Sequence, residues 1–226
     1  MKALRPVSLV LARMLIENVN SLKIAIHYID EHTKYSGRTA WTLDYRTFLL
    51  GLASTAIWSF GGQLVSQSLD RGPTGPTILW SCIGAGGMWG AWAGTLVSPF
   101  GLGHVNVVFC SILAATIVAV GSGASIIGLV LVGGALFGAA YVMLTGIYLV
   151  WGVRALPDQP ATGLKIGFLT IAIGQTAGVP LFGLLMGGVG VQTAIVTFGT
   201  LALLAGMIRT GFASARCLSA TPSISQ

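Results

Sequence analysis

Charge is what this chain lacks. Asp and Glu number 6 and Lys and Arg 12 in 226 residues, so only 8% of the chain is charged. A soluble domain carries about 25%, and a water-facing surface cannot be built from so little. The absence is also concentrated. No Asp, Glu, Lys or Arg lies between Arg71 and Arg154, and none between Lys165 and Arg209. A helix crossing hydrocarbon needs roughly 20 predominantly apolar residues. The first interval has room for three such helices and the second for two. No carboxylate falls inside the apolar runs, so the chain offers none of the intramembrane acids on which proton-coupled carriers rely.

Cysteine is equally sparse. Cys82, Cys110 and Cys217 are scattered without metal or redox spacing, and the first two read as buried apolar cysteines. His27 and His32 stand five apart, which is poor for a shared metal face on a helix. An intramembrane serine protease would need Gly-x-Ser-Gly, and "AVGSGAS" lacks the leading glycine. No catalytic constellation emerges, and no metal or cofactor site. A non-enzyme is expected, with no nucleic-acid partner.

What is present is apolar: 54% of residues are hydrophobic and the mean hydropathy is +0.84. Runs such as "SIIGLVLVGGALFGAAYVMLTGIYLVWG" do not alternate as barrel strands do. In hydrocarbon every backbone polar group must be satisfied within the fold, which leaves helices. The expectation is an all-α, polytopic integral membrane protein whose first partner is the lipid bilayer.

Residues 1–44 form a distinct leader holding four of the six acidic residues. Its opening, "MKALRPVSLVLARML", has a basic flank like a signal peptide, but Arg13 interrupts the apolar run and no convincing cleavage site follows. The leader reads as retained. Residues 4–29 read either as an amphipathic interfacial helix or as a poorly ordered cytoplasmic arm. Residues 45–210 hold six predicted spans: Arg46–Gln67, Thr77–Val97, Val105–Val120, Ser125–Trp151, Thr162–Met186 and Val191–Ile208. Residues 211–226 are a cytoplasmic tail. Short Gly/Pro-rich breaks such as "DRGPTGPT" and "RALPDQPA" separate the spans.

Six spans place both termini on one side. On that side fall eleven of the twelve basic residues, all but Arg71. Cytoplasmic loops concentrate Lys and Arg, so both termini are assigned to the cytoplasm. The 32 glycines read mostly as packing residues, because small side chains let membrane helices approach closely.

Between the second and third spans stands "GTLVSPFGLGH". It resembles the signature of the major facilitator superfamily, Gly-x-Leu-x-Asp-Arg-x-Gly-Arg-Arg, which joins the second and third helices of each six-helix half. Gly94, Leu96 and Gly101 match. Ser98, Pro99 and Leu102 stand where charged residues would be, and His104 is the one ionisable survivor. In the fifth span, "GQTAGVPLFG" is similar to the Gly-x-x-x-Gly-Pro-x-x-Gly-Gly pattern of the fifth helix, through Gly174, Gly178, Pro180 and Gly183. Phe137 to Met186 resembles the carboxy-terminal half of bacterial facilitators of the YbfB/YjiJ-like branch, and "WSFGGQLV" resembles their seventh helix. The likeness covers residues 45 to about 210.

That resemblance implies one half of a bacterial inner-membrane carrier, moving a small solute by alternating access with a second six-helix half or a second copy as partner. It implies that Gly94, Leu96, Ser98, Pro99, Gly101 and His104 belong to a gate loop that has lost its charges. It implies a cavity lined by the first, second, fourth and fifth helices. The polar or aromatic residues at mid-span there are Trp58, Gln63, Trp89, Tyr141, Thr145, Tyr148, Gln175 and Thr176.

Each has a blander reading. Gln175 is costly in hydrocarbon unless paired, so it either faces a cavity or makes an interhelical packing bond. Tyr141, Thr145 and Tyr148 share one helix face, as a cavity stripe or a buried packing face. Trp80, Trp89, Trp92 and Trp151 also suit headgroup depth, where Trp gathers. The alternative to a carrier is a non-transporting membrane scaffold or the remnant of a split or truncated transporter gene.

Overall fold

A computed structural model of the protein describes residues 38–69, 74–90, 102–122, 126–156 and 159–208. Among the described residues the regular structure is entirely helical. The helices are α1 (Arg38–Trp58), α2 (Gly61–Leu69), α3 (Thr74–Gly90), α4 (Leu102–Gly121), α5 (Ile127–Ala155), α6 (Pro160–Gly188) and α7 (Val191–Met207). The expected boundaries hold to within a few residues from the third span onward. The helix that opens the bundle begins earlier than expected, inside the leader. The end of the expected second span, beyond Gly90, lies outside the described residues, as does most of the leader and the whole tail.

Four helical segments are long and apolar enough to cross a membrane: Tyr45–Ser66, Gly103–Gly121, Ile127–Arg154 and Pro160–Gly188. Val191–Met207 is apolar but shorter. The fold is compatible with a multi-pass membrane protein for a second reason, which is its exterior. Leu129, Val132, Leu136, Phe168, Leu184, Val196 and Leu204 are exposed, while Leu50, Ile57, Phe137, Leu144 and Phe198 are fully buried. A helix that is hydrophobic all round belongs in a core or a bilayer.

The first rod differs from expectation. A turn at Ser59 and Phe60 divides it into α1 and α2. Ser59 N–H donates to the Thr55 carbonyl at 2.9 Å, and Leu64 N–H donates to the Phe60 carbonyl at 2.9 Å, so helical bonding flanks the turn. Gly61 and Gly62 follow it directly, and paired glycines are a common cause of a sharp helix break. Phe60 is anchored there by Phe182 of α6, ring centroids 4.7 Å apart.

Taking α1 with α2 as one rod gives six among the described residues. Rod one packs on rod five (α1 on α6), and rod four packs on rod two (α5 on α3). Rod three packs on rod four (α4 on α5), and rod six packs on rod one (α7 on α1). Rod one meets rod two through α2 and α3, and rod four meets rod five through α5 and α6. Rods three and six pack together, as do rods one and four. Exchanging the first three rods for the last three maps each of these pairs onto another or onto itself. Rods five and six also pack together (α6 on α7), and rod three packs on rod one (α4 on α1 and α2), each at least as extensively as rods one and four. Neither contact has a comparable counterpart under the exchange among the described residues.

The two broadest interfaces are built alike. Between α1 and α6, a Cβ at Gly51 would collide with the Ile171 carbonyl, and one at Gly174 with the Phe48 carbonyl. Between α3 and α5, a Cβ at Gly86 would collide with the Ala135 carbonyl, and one at Gly138 with the Ile83 carbonyl. Backbone therefore meets backbone at both, as small-residue membrane packing allows.

Candidate functional site

The turn in the first rod brings together residues from four helices. Trp58, the last residue of α1, stands 5.2 Å from Trp80 of α3 and 5.3 Å from Tyr141 of α5, measured between ring centroids. Phe137, one turn before Tyr141, stacks on it at 6.1 Å with an interplanar angle of 9°. The edge-to-face arrangement of Trp58 on Tyr141 is a favoured geometry for aromatic pairs. The buried Trp58 Nε1–H has no hydrogen-bond partner among the described residues, where a buried indole usually finds one.

Gln175 of α6 completes the cluster. Its Nε2 donates to the Tyr141 hydroxyl at 3.0 Å. Its main-chain carbonyl accepts from Thr55 Oγ1 of α1 at 3.3 Å, and the same hydroxyl donates to the Gly51 carbonyl at 3.1 Å. Ser54 and Thr145 lie beside the Tyr141 hydroxyl. Of the two readings open for Gln175, the interhelical bond is present, and it is made to a residue of the expected cavity set. Pro180 stands inside α6 without ending it. Proline has no N–H, so no helical bond to the Thr176 carbonyl is made there. Gly178, one turn after Gly174, faces the Leu52 carbonyl and the Thr55 hydroxyl. Gly183 has only the Phe60 ring at 4.0 Å. The glycines of the motif thus split: two set the α1–α6 approach and one does not.

The other expected residues are placed differently. Tyr148 is fully buried, and its hydroxyl is 3.8 Å from Cys110 Sγ of α4. The face it shares with Tyr141 is therefore a packing face at that end. Trp89 is 81% exposed, Gln63 is exposed, and neither joins the cluster. The Thr176 hydroxyl donates to the Ala172 carbonyl of its own helix at 2.8 Å. Trp151, read as an interfacial anchor, is buried against Tyr148 at 5.8 Å. Gly94, Leu96, Ser98, Pro99 and Gly101 lie outside the described residues, with Trp92. His104 is described: it is exposed in the first turn of α4 and not in a loop.

Two members were not anticipated. Phe137 was one hydrophobic residue among many, and Trp80 suited headgroup depth. Their signal is the i, i+4 spacing of Phe137 and Tyr141, which puts two rings one above the other. Chemically, the cluster offers aromatic faces, an unused indole N–H and a positioned carboxamide. It holds no nucleophile paired with a base.

The fold and cluster define an all-helical bundle of apolar rods with an aromatic and amide cluster at a helix break. No family model, no curated protein and no solved structure matches the chain.

Proposed function

We propose that the chain is one six-span half of a facilitator-type carrier, moving a small uncharged or weakly polar solute by alternating access with a second half. The observation that carries this reading is the exchange relation among the rods. Half-transporters of this type are built from two three-helix units of inverted topology, and substrate sites lie near mid-membrane beside discontinuous helices. Here most of the rod pairs among the described residues exchange under a three-plus-three swap, and the broken first rod carries Trp58 beside Tyr141. The glycine-lined interfaces α1–α6 and α3–α5 are the pair that the swap interchanges. In this reading α3 and α7 also span the bilayer, the membrane is the bacterial inner membrane, and both termini are cytoplasmic.

The lack of carboxylates in the spans makes this half a contributor of shape and hydrogen bonds. Any proton-coupling acid belongs to the partner half. The test is accessibility at the break. In a chain stripped of its own cysteines, Ser59→Cys and Gln175→Cys are each exposed to an impermeant thiol reagent from either side, with and without a coexpressed partner half. The proposal expects labelling from both sides when the partner is present. Labelling from one side only, or from neither, contradicts alternating access at this site.

A further inference from the structure

A second polar cluster lies where the apolar segment of α1 starts, α4 begins and α5 ends. Arg46, the second residue of the first apolar segment, is 3% exposed, and its Nε and Nη1 have no hydrogen-bond partner among the described residues. Its Cζ sits 5.6 Å from the centre of the Trp151 ring. Asn106 of α4 is fully buried, and its Nδ2 has no partner among the described residues either. Its Oδ1 faces Cys110 Sγ at 4.0 Å, and Cys110 in turn faces the Tyr148 hydroxyl at 3.8 Å. Arg46 is close enough to both Cys110 and Tyr148 to act on them electrostatically. Three buried N–H-bearing atoms from two helices are therefore unsatisfied around one thiol.

The arginine cannot relieve this by losing its proton, because a guanidinium stays charged in proteins. Burying a charge is costly unless it is paired. The Trp151 ring face offers a cation–π contact, which offsets only a fraction of that cost. Asn106 Nδ2 adds a second donor with no acceptor. Among the described residues nothing supplies what these donors call for, which is a negatively charged hydrogen-bond acceptor with more than one oxygen.

We propose that Arg46 and Asn106, backed by Trp151 and Tyr148, bind an oxyanion of the phosphate class. Its place at the ends of three apolar helices is where a lipid phosphate sits, and a soluble phosphate reaches the same depth from the aqueous side. The site is independent of the aromatic cluster around Trp58, so it stands whether or not the chain transports.

The experiment uses the full chain in a phosphate-free nonionic detergent stripped of lipid. Thermal midpoints are measured with inorganic phosphate added, and separately with phosphatidylglycerol added. The expected result is a rise of about 2–4 °C or more with at least one of them. Inorganic phosphate alone acting identifies a soluble anion, and phosphatidylglycerol alone acting identifies a headgroup. Arg46→Gln removes the response, and its midpoint without anion is above that of the native chain because an unpaired buried charge is gone. Asn106→Leu keeps the charge and weakens the response by about tenfold, which serves if Arg46→Gln fails to fold. The proposal is overturned if neither anion raises the midpoint, or if the variants respond as the native chain does. It is likewise overturned if converting Glu17, Asp30, Glu31 and Asp44 to amides lowers the midpoint while added anions do nothing, since the counter-charge then comes from the chain itself.

Discussion

Gln175 Nε2 donates to the Tyr141 hydroxyl at 3.0 Å, across the contact between α6 and α5. This bond joins the helix carrying the glycine-proline motif to the helix carrying the aromatic stack, and Trp58 leans on the same tyrosine from the helix break. A carboxamide at mid-span without a partner would cost about 1–3 kcal/mol on mutational scales. The bond removes that cost on one side and fixes the tyrosine on the other.

Its strength is measurable by a double-mutant cycle on Tyr141→Phe and Gln175→Leu in detergent. Interhelical hydrogen bonds in membrane proteins average about 0.6 kcal/mol and reach about 1.7 kcal/mol. The expected coupling lies in that range, with Tyr141→Phe alone the less stable single variant because it strands the Gln175 carboxamide, whereas Gln175→Leu leaves the tyrosine hydroxyl beside Ser54 and Thr145. Zero coupling would mean that the two side chains do not share a bond in the folded protein.

Glycine packing gives a sharper contrast. Gly86→Ala and Gly174→Ala each place a methyl group against a neighbouring carbonyl, where only a backbone shift makes room. Overpacking of this kind costs roughly 1–3 kcal/mol. Gly84 and Gly146 have open space at the same position, and alanine there stabilises by about 0.5–1 kcal/mol through helix propensity. Urea or thermal unfolding of the four variants checks this. Equal effects at all four sites would contradict the close approach of α1 to α6 and α3 to α5.

The proposed orientation rests on the distribution of basic residues, eleven on the side assigned to the termini and one opposite. An impermeant thiol reagent is expected to label Cys217 only after the cytoplasmic face is opened. Labelling in intact cells would reverse the assignment. Cys110 is buried, but Cys82 is only half-buried, so the labelling is done on a Cys82→Ala chain.

The helix boundaries were legible because charge-free runs and Gly/Pro breaks leave little choice: Val105–Val120 was expected and Leu102–Gly121 is found. The break at Ser59 and Phe60 was not legible. Gly61 and Gly62 sit in a chain with 32 glycines, and sequence alone does not separate a glycine that breaks a helix from one that packs it. Arg46 was read as one more basic residue at a span end, useful for orientation. Its burial depends on Trp151, more than a hundred positions away in sequence, and on the approach of α4, which periodicity does not encode. Tyr141 and Tyr148 show the same limit. Seven-residue spacing put them on one face correctly, yet one joins the aromatic cluster and the other meets Cys110, because different helices cover the two ends of α5.

The most direct test of the half-carrier account is uptake by liposomes holding this chain as the only protein, with a proton gradient imposed and a panel of small solutes outside. On the half-carrier account the six rods supply one wall of a cavity, and two copies can pair about a twofold axis without adding a carboxylate to any span. The account predicts crosslinked dimers or larger species and no proton-driven accumulation of any solute. Accumulation that follows the proton gradient, by the chain alone, would contradict it.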